Sequence, residues 1–119
     1  MKKKAISRYL KKISVLKAMS ETRKTIEQLS ALAQETRFAV FQTLMRAGES
    51  GLSAGAIAET LKVAPNTLSS HLAILNRAGL TTVTREGRSL IYKARIDGVN
   101  NLLSSLVEDC CDGHPEVCV

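Results

Sequence analysis

The chain has 119 residues, 45% of them hydrophobic, which suits one domain with its own core. Its net charge is +6, and no apolar run approaches the roughly 18 residues that a membrane span needs. Three cysteines, an odd number, argue against a secreted disulfide framework and for a reducing, cytoplasmic setting. With two Tyr, two Phe and no Trp, the core must be aliphatic. The basic N-terminus lacks the continuous apolar stretch and cleavage site of a signal peptide.

Along the chain, Ile6, Tyr9, Leu10, Ile13, Leu16 and Met19 recur at helical spacing with lysines between them, so residues 5–19 read as a basic amphipathic helix. Met19-Ser20-Glu21 also reads as an internal translation start. Ile26, Leu29 and Leu32 predict a first core helix from Lys24 to about Ala33. Thr36, Arg37, Phe38, Val40, Phe41, Leu44 and Met45 predict a second, stopped by Gly48. Ser53 is placed to cap a short third helix over 54–61, with Ala54, Ile57, Ala58 and Leu61 facing inward. Lys62-Val63-Ala64 is a turn, and Pro65 suits the first position of a fourth helix, because its missing N–H has no partner there. That helix runs to about Ala78 on an inner row of Leu68, Leu72 and Leu75, and Gly79 ends it. Two short helices joined by a three-residue turn make a helix-turn-helix. Leu80–Arg85 and Arg88–Arg95 are rich in β-branched residues and flank Glu86-Gly87, which predicts a hairpin, the wing. A last helix from about Asp97 carries Val99, Leu102, Leu103, Leu106, Val107 and Cys110 on one stripe and ends near Gly113.

Charge divides this plan. Residues 1–24 hold nine Lys/Arg against one Glu, and residues 37–95 hold eight against three acids. Residues 96–119 hold five acids and no Lys or Arg. The first two segments suit phosphates and the last suits a cation. The domains expected are a basic N-terminal extension over 1–23, a DNA-binding and dimerisation domain over 24–109, and a cysteine-rich tail over 110–119.

In a helix-turn-helix the N-terminal residues of the second helix reach base edges. Here they are Asn66, Thr67, Ser69, Ser70 and His71, all short or polar and none needed for the core. Asn pairs bidentately with adenine, and Ser or Thr bonds bases or phosphate. Arg77, with Arg85, Arg88 and Lys93 of the wing, would hold phosphates, which position a protein without reading sequence. Two plainer readings stand beside this one: Asn66–Ser70 cap a solvated helix, and His71 is a packed structural histidine.

The tail reads Cys110-Cys111-Asp112-Gly113-His114-Pro115-Glu116-Val117-Cys118 and holds every cysteine of the chain. Adjacent Cα atoms lie about 3.8 Å apart, below the roughly 4.4–6.8 Å of an ordinary disulfide. The pair therefore suits one soft ion better than a bridge. Gly113 and Pro115 favour a turn that returns Cys118 toward it. Cys110, Cys111 and Cys118 are the candidate ligands, and His114 is a candidate fourth.

Several stretches together resemble the ArsR/SmtB family of bacterial metal-responsive repressors: Leu32-Ala33-Gln34-Glu35-Thr36-Arg37, Leu68-Ser69-Ser70-His71-Leu72-Ala73-Ile74-Leu75, Ala78-Gly79-Leu80 and Arg85-Glu86-Gly87-Arg88. The likeness runs from about Leu29 to Val107. It implies an α+β, mostly helical winged helix-turn-helix, a homodimer joined through its first and last helices, and an ion-free dimer that represses from a palindromic operator. Residues 51–57 match a third-helix arsenic site of the family but hold no cysteine. Asp97 is followed by Gly98 and Val99 with no His before His114, so the family's last-helix zinc site is missing too. The tail resembles that of arsenite-responsive members whose three thiols lie beyond the last helix.

The chain is therefore expected to be a metalloid-responsive repressor and not an enzyme. As(III) or Sb(III) would act as inducer, and no cofactor would be needed for the fold. Three sulfurs suit the pyramidal coordination of those ions, whereas zinc usually takes four ligands. The alternatives are a zinc- or cadmium-responsive or thiol-redox-responsive repressor of the same fold. A metal-buffering or protein-interaction module that does not bind DNA, and a thiol enzyme, are rivals from other classes.

Overall fold

A computed structural model describes residues 21–109. Residues 21–32 are helical (α1). They are followed by α2 (Glu35–Ala47), a 3-10 turn (Gly48–Ser50), β1 (Leu52–Ser53), α3 (Ala54–Leu61), α4 (Pro65–Arg77), β2 (Thr81–Glu86), β3 (Ser89–Ala94) and α5 (Ile96–Ser104). A wider, π-type turn over Ser105–Asp109 continues α5. The expected helix over 5–19 and the cysteine tail lie outside the described residues.

Local chemistry explains most boundaries. Gln34 starts α2 by accepting the Arg37 N–H at 2.8 Å on Oε1, a cap that periodicity alone does not show. Gly48, at φ 62°, closes the helix through its N–H to the Leu44 carbonyl. The Ser53 hydroxyl accepts from the Ala56 N–H at 3.1 Å, as a cap should. Lys62 ends α3 in the left-handed region, and it is the one non-glycine residue with positive φ among those described. Pro65 opens α4 at its first turn.

The core gathers Val40 and Leu44 of α2, Ile57 of α3, Leu68, Leu72 and Leu75 of α4, and Leu80 before the wing, with Leu102 of α5 at its edge. Burying each such side chain contributes roughly 1.5–3 kcal/mol. The sheet has strand order β1-β3-β2 and is antiparallel throughout. Glu86 pairs with Ser89, so Gly87 and Arg88 make the two-residue turn, with Gly87 at φ 64°. The sequence reading places only the hairpin. A two-residue strand has no alternation to reveal it, and β1 exists because Gly51 lets the chain lie against β3. A Cβ on Gly51 would stand 2.5 Å from the Tyr92 carbonyl oxygen.

Two expectations fail at the first and last helices. Ile26 and Leu29, read as inward, are 60% and 40% exposed. Gln28 and Ala31 take the inner positions instead, because α1 turns a different row of its surface to the core. On α5, Leu102 is buried while Leu103 is 52% exposed. Gln28 donates from Nε2 to the Gly98 carbonyl at 3.3 Å and so joins α1 to α5. At the N-terminus of α5, Arg95 and Asp97 pair at 3.0 Å on the surface, and that hydrogen bond holds the Asp97 carboxyl below the usual carboxylate range.

Gly98 meets the chain segment that ends α4. A Cβ there would lie 1.9 Å from the Gly79 carbonyl oxygen, a backbone atom that cannot step aside. Gly→Ala inside a helix ordinarily gains about 1 kcal/mol. Gly98→Ala is expected to reverse that sign and cost about 2–3 kcal/mol, read as a fall in the urea midpoint of unfolding.

Candidate nucleic-acid interface

The inner row of α4 decides what its outer face offers. With Leu68, Leu72 and Leu75 buried, Asn66, Thr67, Ser69, Ser70 and Arg77 stand exposed. The side of α4 near its N-terminus is thus a row of short hydrogen-bonding groups. Among the described residues their one side-chain bond is a long one within α4, from the Ser70 hydroxyl to the Asn66 carbonyl at 3.5 Å. Such groups remain available to a partner.

The hairpin brings cations to the same domain. Arg85 and Arg88 are exposed near and within its turn, and Lys93 is half-buried on β3. Among the described residues the one ion pair is Arg95–Asp97, so Arg77, Arg85 and Arg88 form no ion pair there, and Glu86 is the one acid of the hairpin. The wing is fixed to α4 by a side-chain hydrogen bond from the buried Thr81 hydroxyl to the Asn76 Oδ1. That bond couples the end of α4 to the base of the wing.

His71 departs from its neighbours. It is half-buried, and its Nδ1 lies 3.3 Å from Arg37 Nη1. Arg37 also donates from Nε to the Ala31 carbonyl at 2.7 Å. Sequence reasoning gave Gln34 and Arg37 a place in the family motif but no contact, and it passed over Gln28. Gln28 shares its helix row with Lys24, Thr25 and Ala31, which reads as surface until its burial is seen.

Among the described residues, no group of three His, Cys, Asp or Glu side chains could hold a metal ion, and no helix is long and apolar enough to cross a membrane. Cys110, Cys111, His114 and Cys118 lie outside them.

A short helix, a turn, a second helix with a polar outer face, and a basic hairpin define a winged helix-turn-helix DNA-binding protein. Residues 32–84 match the helix-turn-helix domain family. No curated relative matches the chain. Among solved structures, an ArsR-like transcriptional regulator from Rhodococcus sp. RHA1 superposes with TM-score 0.69 at 24% identity, over 81% of this chain and 88% of that one. A possible transcriptional regulator for arsenical resistance is 30% identical, with TM-score 0.57, over 64% of this chain and 76% of the other. The homodimeric winged helix-turn-helix DNA-binding domain of Mb0332 from Mycobacterium bovis, a possible ArsR-family regulator, covers 89% of each chain at 24% identity and TM-score 0.58. The chain belongs to the ArsR-like transcriptional regulators, which are DNA-binding proteins and not enzymes.

The two kinds of exposed residue should separate in binding experiments. Arg85→Ala and Arg88→Ala are each expected to lower the slope of log affinity against log salt by about 0.9 for a lost phosphate contact. Asn66→Ala should leave that slope alone and cost about 1–3 kcal/mol against the preferred sequence only. Fluorescence anisotropy at several salt concentrations reads both.

Proposed function

We propose that the protein is a metalloid-responsive transcriptional repressor in the cytoplasm. It binds operator DNA as a homodimer and releases it when As(III) or Sb(III) binds Cys110, Cys111 and Cys118. The observation that carries the DNA half is the exposed polar face of α4 beside a wing whose Arg85 and Arg88 form no ion pair among the described residues. Asn66, Thr67, Ser69 and Ser70 read bases, and Arg77, Arg85 and Arg88 hold phosphates. His71 stands at the edge of that face.

The dimer half rests on the apolar side chains that α1 and α5 leave uncovered. Ile26, Leu29 and Leu103 are each at least 40% exposed in one copy of the chain. An aliphatic surface of this kind on two neighbouring helices favours pairing with a second copy. The homodimeric Mycobacterium bovis neighbour supports the same assembly. A dimer sets two α4 helices about 34–36 Å apart to meet successive major grooves.

The sensing half rests on ligand chemistry in the sequence and on the arsenical-resistance relative. Three thiolates match the three-coordinate pyramid of As(III) and Sb(III), and His114 is within the same stretch should a fourth ligand be used. The tail (110–119) follows α5, so ion binding biases the helix that borders the dimer seam and alters the spacing of the reading helices. A coupling of about 1–3 kcal/mol is typical of such switches. The basic residues 1–23 add phosphate contacts.

The test is operator binding by anisotropy, with arsenite, antimonite, zinc, cadmium or peroxide added in turn. Arsenite or antimonite should weaken binding about 5–150-fold. The Cys110→Ser, Cys111→Ser double variant should bind the operator normally and ignore arsenite. Release of that variant by arsenite, or release of the wild type by zinc or peroxide alone, refutes this assignment of the inducer.

A further inference from the structure

His71 was read from the sequence as a residue of the DNA-facing row, and its contacts suggest a different task. A guanidinium carries only donors, so the Arg37 Nη1–H must donate to His71 Nδ1, which must offer a lone pair. The tautomer that fits this contact has its proton on Nε2. No other side-chain hydrogen bond links α4 to α2 among the described residues.

The setting gives this bond leverage. The start of α4 has Pro65 and no side-chain cap, so no capping bond fixes its rotation. Leu68, Leu72 and Leu75 set the depth of the helix, but aliphatic packing is non-directional. A hydrogen bond is directional, and His71 lies one turn beyond Thr67 on the flank between the buried row and the exposed one. A small rotation of α4 about its axis would move Asn66, Thr67 and Ser70 together.

Arg37 in turn is held from the other side. Its Nε donates to the Ala31 carbonyl at the end of α1, and its backbone N–H is bound by Gln34. Gln28, one turn earlier on α1, donates to Gly98 of α5. Four helices therefore meet through one short run of hydrogen bonds: α5 at Gly98, α1 at Gln28 and Ala31, α2 at Arg37 and α4 at His71.

We propose that Arg37 and His71 form a positioning clamp that sets the rotation of the DNA-reading helix relative to the α1–α5 pair, with the His71 Nδ1 lone pair as its acceptor. His71 acts through Arg37, not by touching a base. The proposal rests on the DNA-binding function above and deepens it.

Substitutions at position 71 separate the roles of the two ring nitrogens. Asn places its amide oxygen close to where Nδ1 sits, while Gln places it one bond further out, near Nε2. The probe is a duplex enriched by the wild-type chain from a random-sequence pool. His71→Asn should bind it within about twofold of wild type, and His71→Gln and His71→Ala should each bind about tenfold more weakly. Adding His71→Ala to Arg37→Gln should cost little more than Arg37→Gln alone, because both break one bond.

If His71→Ala binds like wild type, or His71→Gln is the variant that rescues, the clamp is wrong and a direct contact through Nε2 takes its place. Because Arg37→Gln removes several bonds and can unfold the corner, a second measurement needs no variant of it. In the DNA-free protein, nitrogen-15 spectra assigned by comparison with His71→Asn should show the His71 proton on Nε2 and a bare Nδ1. A proton on Nδ1 overturns the proposal. If the wild-type chain enriches no duplex at all, it is the DNA-binding function that fails, and the clamp loses its purpose with it even where the tautomer is as expected.

Discussion

Burial of Leu68, Leu72 and Leu75 in one cluster with Val40, Leu44, Ile57 and Leu80 is the constraint on which the rest of the molecule depends. It commits one side of a 13-residue helix to the interior. A helix has only one opposite side, and there the chain places Asn66, Thr67, Ser69, Ser70 and Arg77. The same aliphatic cluster holds α2 and α3 against α4 and seats Leu80, from which the wing departs. Shape and chemistry at the surface thus follow from apolar packing at the centre, which supplies most of the stabilisation.

The second level of organisation is polar and sits around α1. Gln28, Arg37 and His71 are buried or half-buried groups that find partners on other helices. Buried polar groups need such partners, since an unsatisfied one costs about 1–3 kcal/mol. No buried side-chain nitrogen or oxygen lacks a partner among the described residues. Hydrophobic contact holds the helices together, and these directional bonds select one arrangement among several that would bury similar area.

The legibility of the sequence differs between these two levels. The inner row of α4, the Ser53 cap, Pro65 at the helix start and the glycine turn of the wing were all readable, because each depends on neighbours a few residues away. The bounds of α3 were read as the structure has them. β1 was not readable: its two residues pair with Ile91 and Tyr92, far along the chain. The facing of α1 was misjudged at Ile26 and Leu29, because a helix at the edge of a single copy can leave apolar side chains uncovered while a glutamine goes inside. Of the residues proposed for DNA, Asn66, Thr67, Ser69, Ser70, Arg77, Arg85 and Arg88 are exposed as that role requires. His71 turns to Arg37, a residue 34 positions away that no local pattern connects to it.

The bond between Thr81 and Asn76 ties the end of the reading helix to the first strand of the wing. Helix and hairpin are thereby coupled at their shared corner, as tip and jaw are in a pair of callipers. Whatever turns the reading helix about its axis therefore also pulls on the base of the hairpin.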